Sequence, residues 1–238
     1  MSKRRVRRLL ARWFLRMTGW TTSGARPAPR RYVLIAAPHT SNWDFPYLLA
    51  FAAVYDIPIA WMGKHTLFRF PLGPIMRALG GVPVRRHARE QLVEAMARTL
   101  GEHDELALVV PVEGTRARTE HWKSGFYHIA RRAGVPIVMS FLDYAQRRGG
   151  FGPAFEPSGD VVRDMDHVRA FYADKQGLFP ERFGPIRLRE EEWTPASPGD
   201  ETAGARAGLA SVEVEPDDAP IVSAVSLVAA AGEVHEDR

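Results

Sequence analysis

Short, largely apolar runs alternate with helical segments through the middle of this chain, and that alternation limits the fold more than any other feature. Tyr32-Val-Leu-Ile-Ala-Ala-Pro38, Leu106-Ala-Leu-Val-Val-Pro-Val112 and Val135-Pro-Ile-Val-Met-Ser-Phe141 are of strand length and carry no polar alternation. Strands buried on both faces read this way, and they belong to parallel sheets covered by helices on each side. Ile57–Met62 and Gly81–Val84 are two further strand candidates. Between the strands, Pro46 is tolerated only in a first turn, so a helix is expected to start near Trp43–Phe45 and run to Tyr55. Gln91–Leu100 has an apolar side of Leu92, Ala95, Met96 and Leu100, and Gly125–Ala133 reads as another helix. The expected architecture is a single α/β domain over residues 32–192, with a mostly parallel sheet flanked by helices.

The two ends differ from the middle and from each other. Residues 1–43 carry ten Lys or Arg and no acid, whereas the chain from Glu190 onward carries twelve acids and two arginines. Residues 3–20 place Val6, Leu9, Leu10, Trp13, Phe14, Met17 and Trp20 at helical spacing, with Arg4, Arg5, Arg8, Arg12 and Arg16 opposite. Such a helix suits a lipid interface, and anionic headgroups add about 1 kcal/mol per basic residue. Packing of the same stripe onto the domain is the plainer alternative. Residues 1–31 are therefore expected to form a basic amphipathic helix on a membrane surface, followed by a linker from Thr21 to Arg31. Residues 193–238 are expected to be a disordered tail rich in acids, Pro, Ala and Gly.

Several classes drop out. The chain has no cysteine, which excludes disulfides, thiolate zinc sites and a cysteine nucleophile. The longest apolar stretch, Phe45–Met62, is broken by Pro46, Asp56 and Pro58, so no transmembrane helix is expected. Arg12 and Arg16 interrupt the run that a secretion signal needs. There is no G-x-S-x-G elbow, no P-loop, no G-x-G-x-x-G and no H-E-x-x-H.

Chemistry concentrates after the strands. His39 follows the first buried strand, and Asp44 stands five residues on, where the next helix begins. A carboxylate there can fix the imidazole tautomer and make the other ring nitrogen a base. Alone, the spacing is a weak signal and favours a structural histidine and a helix-dipole acid. Glu113-Gly114-Thr115-Arg116 ends another strand, and its glycine and arginine suit a phosphate; Glu113 and Arg116 could also be a plain surface pair. Gly81–Arg86 ends a strand in two arginines, and Lys64 and Lys123 add cations. A base without an evident protein nucleophile points to a nucleophile supplied by substrate.

In order and spacing these blocks resemble the glycerolipid acyltransferase family, which includes 1-acylglycerol-3-phosphate acyltransferases. H-x₄-D matches His39–Asp44. A glycine-containing strand ending in arginine matches Gly81–Arg86. E-G-T-R is complete in Glu113–Arg116, and a proline-bearing apolar strand matches Val135–Val138. The likeness covers residues 32–145 and is greatest to a small bacterial branch. It implies that His39, oriented by Asp44, deprotonates an acceptor hydroxyl that attacks the thioester of acyl-CoA or acyl carrier protein. No acyl-enzyme, metal or cofactor is implied. Lys64, Arg86, Glu113, Gly114, Thr115 and Arg116 are implied in acceptor binding. The implied acceptor is a lysophospholipid, with 1-acylglycerol 3-phosphate as the default and another lyso-lipid or glycerol 3-phosphate as alternatives. The implied setting is phospholipid biosynthesis in the cytoplasm, peripherally bound at the inner face of the cell membrane, without nucleic acid. The sequence departs from the family at Arg85, where an acid is usual, and at Pro38, Met139 and Ser140. A thioester or phosphoester hydrolase and a non-catalytic lipid-binding protein are the rival classes.

Overall fold

A computed structural model describes residues 2–84 and 89–192. Arg85 and Arg86, the expected tail 193–238, and the side chain of Lys64 lie outside that description. The core is a seven-stranded sheet: β1 (Thr21–Ser23), β2 (Arg31–Ala36), β3 (Ile59–Lys64), β4 (Gly81–Val84), β5 (Leu106–Val110), β6 (Ile137–Asp143) and β7 (Arg148–Phe155). The spatial order is β1-β7-β6-β2-β5-β3-β4. Every pairing is parallel except β6 with β7. The helices are α1 (Lys3–Met17), α2 (Asp44–Tyr55), α3 (Gly73–Ala78), α4 (Arg89–Glu102), α5 (Gly125–Ala133) and α6 (Val161–Tyr172). The α/β architecture expected from the apolar runs is the one observed.

The apolar runs bury both faces because their side chains alternate between two cores. Val33, Ile35, Leu106, Leu108, Val110, Ile137 and Met139 join α4, α5 and α6 on one side. Tyr32, Leu34, Ala107, Val109 and Val138 face α2 on the other. Helix α2 is apolar all round for a related reason. Its inner side meets the sheet, and its outer side is covered by α1 and Trp20 through Tyr47, Ala50 and Phe51. Pro46 lies in the first turn of α2, as its missing N–H requires.

Residues 148–192 complete the domain with β7 and α6. Two expectations change. The stretch 21–31 contains β1, which pairs with β7, so it is more than a linker. Helix α1 has two apolar lines rather than one. Ala11 and Leu15 are buried against α2, while Leu9, Leu10, Trp13 and Met17 point outward, Leu10 and Trp13 each 62% exposed and Met17 68%. Trp20, expected to extend the outer stripe, is buried with its ring 4.4 Å from that of Tyr47. Arg7 and Arg8 reach Asp56 at the end of α2, at 3.6 and 3.3 Å. Packing therefore uses the line that holds Ala11 and Leu15 and leaves the outer stripe unpartnered among the described residues. No described helix is long and apolar enough to cross a membrane.

Leu15→Ala should cost about 2–5 kcal/mol in urea unfolding, because it empties a packed site between α1 and α2. Leu10→Ala, on the outer line, should change stability by less than about 0.5 kcal/mol.

Candidate active site

Three neighbouring parallel strands deliver the candidate residues to one edge of the sheet. Ile35 of β2 pairs with Val110 of β5, and Ala36 of β2 pairs with Ser140 of β6. His39, Glu113 and Tyr144 each follow their strand by a few residues, so all three arrive at the same carboxyl edge. This is where open α/β sheets bind ligands. The backbone of Lys64 ends β3 at the same edge, because β3 is parallel to β5.

Asp44 is the first residue of α2 and is nearly buried. Its Oδ2 is 3.1 Å from His39 Nδ1 and accepts the Ser41 N–H at 3.0 Å. Its Oδ1 accepts the Tyr144 hydroxyl at 2.7 Å. With Asp44 accepting from Nδ1–H, the Nε2 of His39 is left as the ring's acceptor. Burial, together with the Asp44 carboxylate beside it, pushes the Tyr144 hydroxyl far above the usual phenol range, so it stays a donor. The ring of Tyr144 is 4.9 Å from that of Trp20 and edge-on to it.

Glu113 is 1% exposed, and its Oε1 accepts the His39 backbone N–H at 2.7 Å. Its Oε2 has no partner among the described residues. Burial raises this carboxyl to about 8; the bond from His39 works against the rise, and the nearby Asp44 adds to it. Glu113 thus holds the His39 loop, and it does not pair with Arg116 at the surface. Gly114 adopts φ 68°, where a Cβ would also come within 3.1 Å of Lys123 Cγ. Gly114, Thr115 and Arg116 are exposed, and among the described residues no acid lies in ion-pair range of Arg116. No group of three His, Asp or Glu side chains is placed to hold a metal ion among the described residues.

His39 and Gly114–Arg116 border a cavity of about 670 Å³ between α2 and the sheet. Its walls are mostly apolar and include Leu34, Phe45, Leu48, Ile59, Trp61 and Val109. That volume is in the range of small-molecule sites. A base–carboxylate pair at the mouth of an apolar cavity, with an arginine beside it, can deprotonate a polar group on a ligand whose tail is apolar.

The family model described as Acyltransferase matches residues 10–140, from α1 into β6. The chain belongs to the acyltransferase family. The matched region holds His39, Asp44 and Glu113–Arg116. Among solved structures, the chain is similar to the 1-acyl-sn-glycerophosphate (LPA) acyltransferase PlsC from Thermotoga maritima. That likeness has 17% identity and a TM-score of 0.49, and covers 72% of this chain and 75% of that chain. No curated protein sequence matches the chain. Tyr144 lies just beyond the family match, and no sequence motif marks it. The available signal was its place: a polar residue just past a buried strand, as His39 and Glu113 are.

The raised Glu113 carboxyl has a consequence for stability. From about pH 4.5 to 8 the folded chain keeps a proton on Glu113 that the unfolded chain releases, so the contribution of Glu113 to stability falls as pH rises through that window. In Glu113→Gln the acceptor for the His39 N–H remains and this proton is absent. The stability of Glu113→Gln relative to wild type should grow by up to about 1.4 kcal/mol per pH unit across that window, and level off outside it, in urea titrations at stepped pH.

Proposed function

We propose that the chain transfers a fatty acyl group from a thioester, acyl-CoA or acyl carrier protein, to a hydroxyl of a lysophospholipid, with 1-acylglycerol 3-phosphate as the first acceptor to test. The observation that carries this reading is the His39–Asp44 pair at the mouth of an apolar cavity of about 670 Å³ in a member of the acyltransferase family. His39 Nε2 takes the acceptor's hydroxyl proton as the oxygen attacks the thioester carbonyl. The tetrahedral intermediate collapses, the C–S bond breaks, and the leaving thiolate takes the proton from the imidazolium. An ester and a free thiol result, with no acyl group on the protein. Asp44 holds the ring in the required tautomer and stabilises its charged form as the proton arrives.

The cavity accepts the acyl chain, and its apolar walls keep water from the thioester. Arg116, with Lys64 and Arg86, binds the acceptor phosphate. Arginine suits that role because its planar fork matches phosphate oxygens. Arg85, which stands where the family pattern has an acid, adds positive charge there and favours a more anionic headgroup. Glu113 positions the His39 loop rather than acting as a base. The enzyme works in phospholipid biosynthesis, peripherally attached to an anionic membrane face by the outer stripe of α1.

His39→Ala should lower transfer of labelled acyl groups by about 10²–10⁴-fold with the circular dichroism spectrum unchanged. A variant within tenfold of wild type would refute this role for His39. Tyr144→Phe deletes one hydrogen bond to a charged group, worth about 1.5–3 kcal/mol. It should lower kcat by about ten- to a hundredfold while KM for the thioester stays constant, because Tyr144 acts through Asp44 and touches no donor.

A further inference from the structure

The segment between β3 and β4 has two sides of different character. Inward, Thr66, Leu67 and Met76 line the cavity, and Phe68 is buried with its ring 5.8 Å from that of Trp61. Outward, Leu67, Phe70, Leu72, Ile75 and Leu79 are exposed, Phe70 to 90%. These side chains stand on a built scaffold. Gly73 N–H donates to Arg69 C=O at 2.8 Å, and Trp61 Nε1–H donates to Leu79 C=O at 2.9 Å. A Cβ on Gly73 would overlap the Phe68 carbonyl, so the turn tolerates no side chain there.

Exposed apolar residues at this density mark an interaction surface. The surrounding charge selects the partner. From Ile57 to Arg89 the chain carries six Lys or Arg and no acid. A second copy of the same segment would be repelled, whereas an anionic bilayer is attracted. Leu67 belongs to both the cavity wall and the exposed surface, so it joins the outer apolar residues to the cavity. An acyl chain leaving lipid needs such a path, since each methylene exposed to water costs about 0.8 kcal/mol.

We infer that residues 67–79 form a lip that dips into an anionic lipid surface and serves as the portal through which the acyl chain enters the cavity. The portal role rests on the proposed acyltransferase reading; the lipid contact does not. It is a second contact, separate from the outer stripe of α1.

The absence of cysteine makes a clean test possible. Phe70→Cys, Trp13→Cys on α1, and Val162→Cys at an exposed position of α6 are each labelled with an environment-sensitive fluorophore and mixed with vesicles of phosphatidylglycerol and phosphatidylcholine. The inference expects a blue shift, and quenching by lipids spin-labelled on their acyl chains, at positions 70 and 13 and not at 162. The response should weaken when phosphatidylglycerol is omitted. A response at 13 alone, or at none, overturns the lip. So does a shift at 70 that follows protein concentration without vesicles, which would assign the surface to a second copy. For the portal, the double variant Phe70→Ser/Ile75→Ser should lose turnover severalfold on vesicle-embedded substrates and keep it on short-chain, water-soluble ones. Equal loss on both overturns the portal. Absence of turnover in the unmodified protein would instead count against the acyltransferase reading, and the fluorescence would still decide the lipid contact.

Discussion

The carboxylate of Asp44 is the point on which the rest of the site depends. It starts α2, where an acid is favoured by the helix N-terminus, and it meets His39, Ser41 and Tyr144 there. One side chain thereby fixes the beginning of a helix, the orientation of an imidazole and the end of β6. The helix it starts is also the roof of the cavity. A displaced Asp44 would therefore disturb the ring and the cavity together.

The loop that carries His39 is held from both sides by neighbours of β2. Glu113, after β5, takes its backbone N–H; Tyr144, after β6, takes the carboxylate that orients its ring. Parallel register makes this possible, because adjacent strands running the same way end at the same edge. The arrangement carries an electrostatic cost. Burial raises the Glu113 carboxyl to about 8, and the nearby Asp44 carboxylate adds a smaller push in the same direction. A neutral Glu113 keeps its acceptor oxygen for the His39 N–H and adds no second negative charge beside Asp44.

How much of this was legible in the sequence depended on how local the signal was. The central strands were plain because a strand buried on both faces must be apolar at every position. His39, Asp44 and Glu113–Arg116 could be found because each lies within a few residues of such a strand. Strand β7 was not visible: Arg148-Gly-Gly-Phe-Gly-Pro-Ala-Phe155 has no alternation, and its glycines are dictated by neighbours far away in sequence. A Cβ on Gly150 would collide with the Ser23 carbonyl of β1. Tyr144 was missed for a similar reason, since its partner Asp44 is a hundred residues earlier. In α1 the outer line of large residues is the stronger periodic signal, and Ala11 and Leu15, the smaller pair that packs, are the weaker one. The positions of Arg86 and of the Lys64 side chain lie outside the described residues, so the proposed phosphate site rests on Arg116 for its geometry.

The N-terminal helix and the His39–Asp44 pair share a set of aromatic contacts. Trp20, just past α1, packs on Tyr47 of α2 and edge-on against Tyr144, and Tyr144 in turn donates to Asp44. The inner line of α1 rests on the same cluster. Aromatic pairs of this kind add about 0.5–1.5 kcal/mol beyond the area they bury, and their edge-to-face geometry restricts the ring on each side. The outward stripe of α1 and the exposed residues between β3 and β4 therefore belong to elements that both touch the site, one through Tyr144 and Asp44, the other through the cavity wall at Leu67. A surface that engaged both would set the orientation of the cavity mouth relative to the lipid without altering the geometry at His39. That geometry is already held by the hydrogen bonds among His39, Ser41, Asp44, Glu113 and Tyr144.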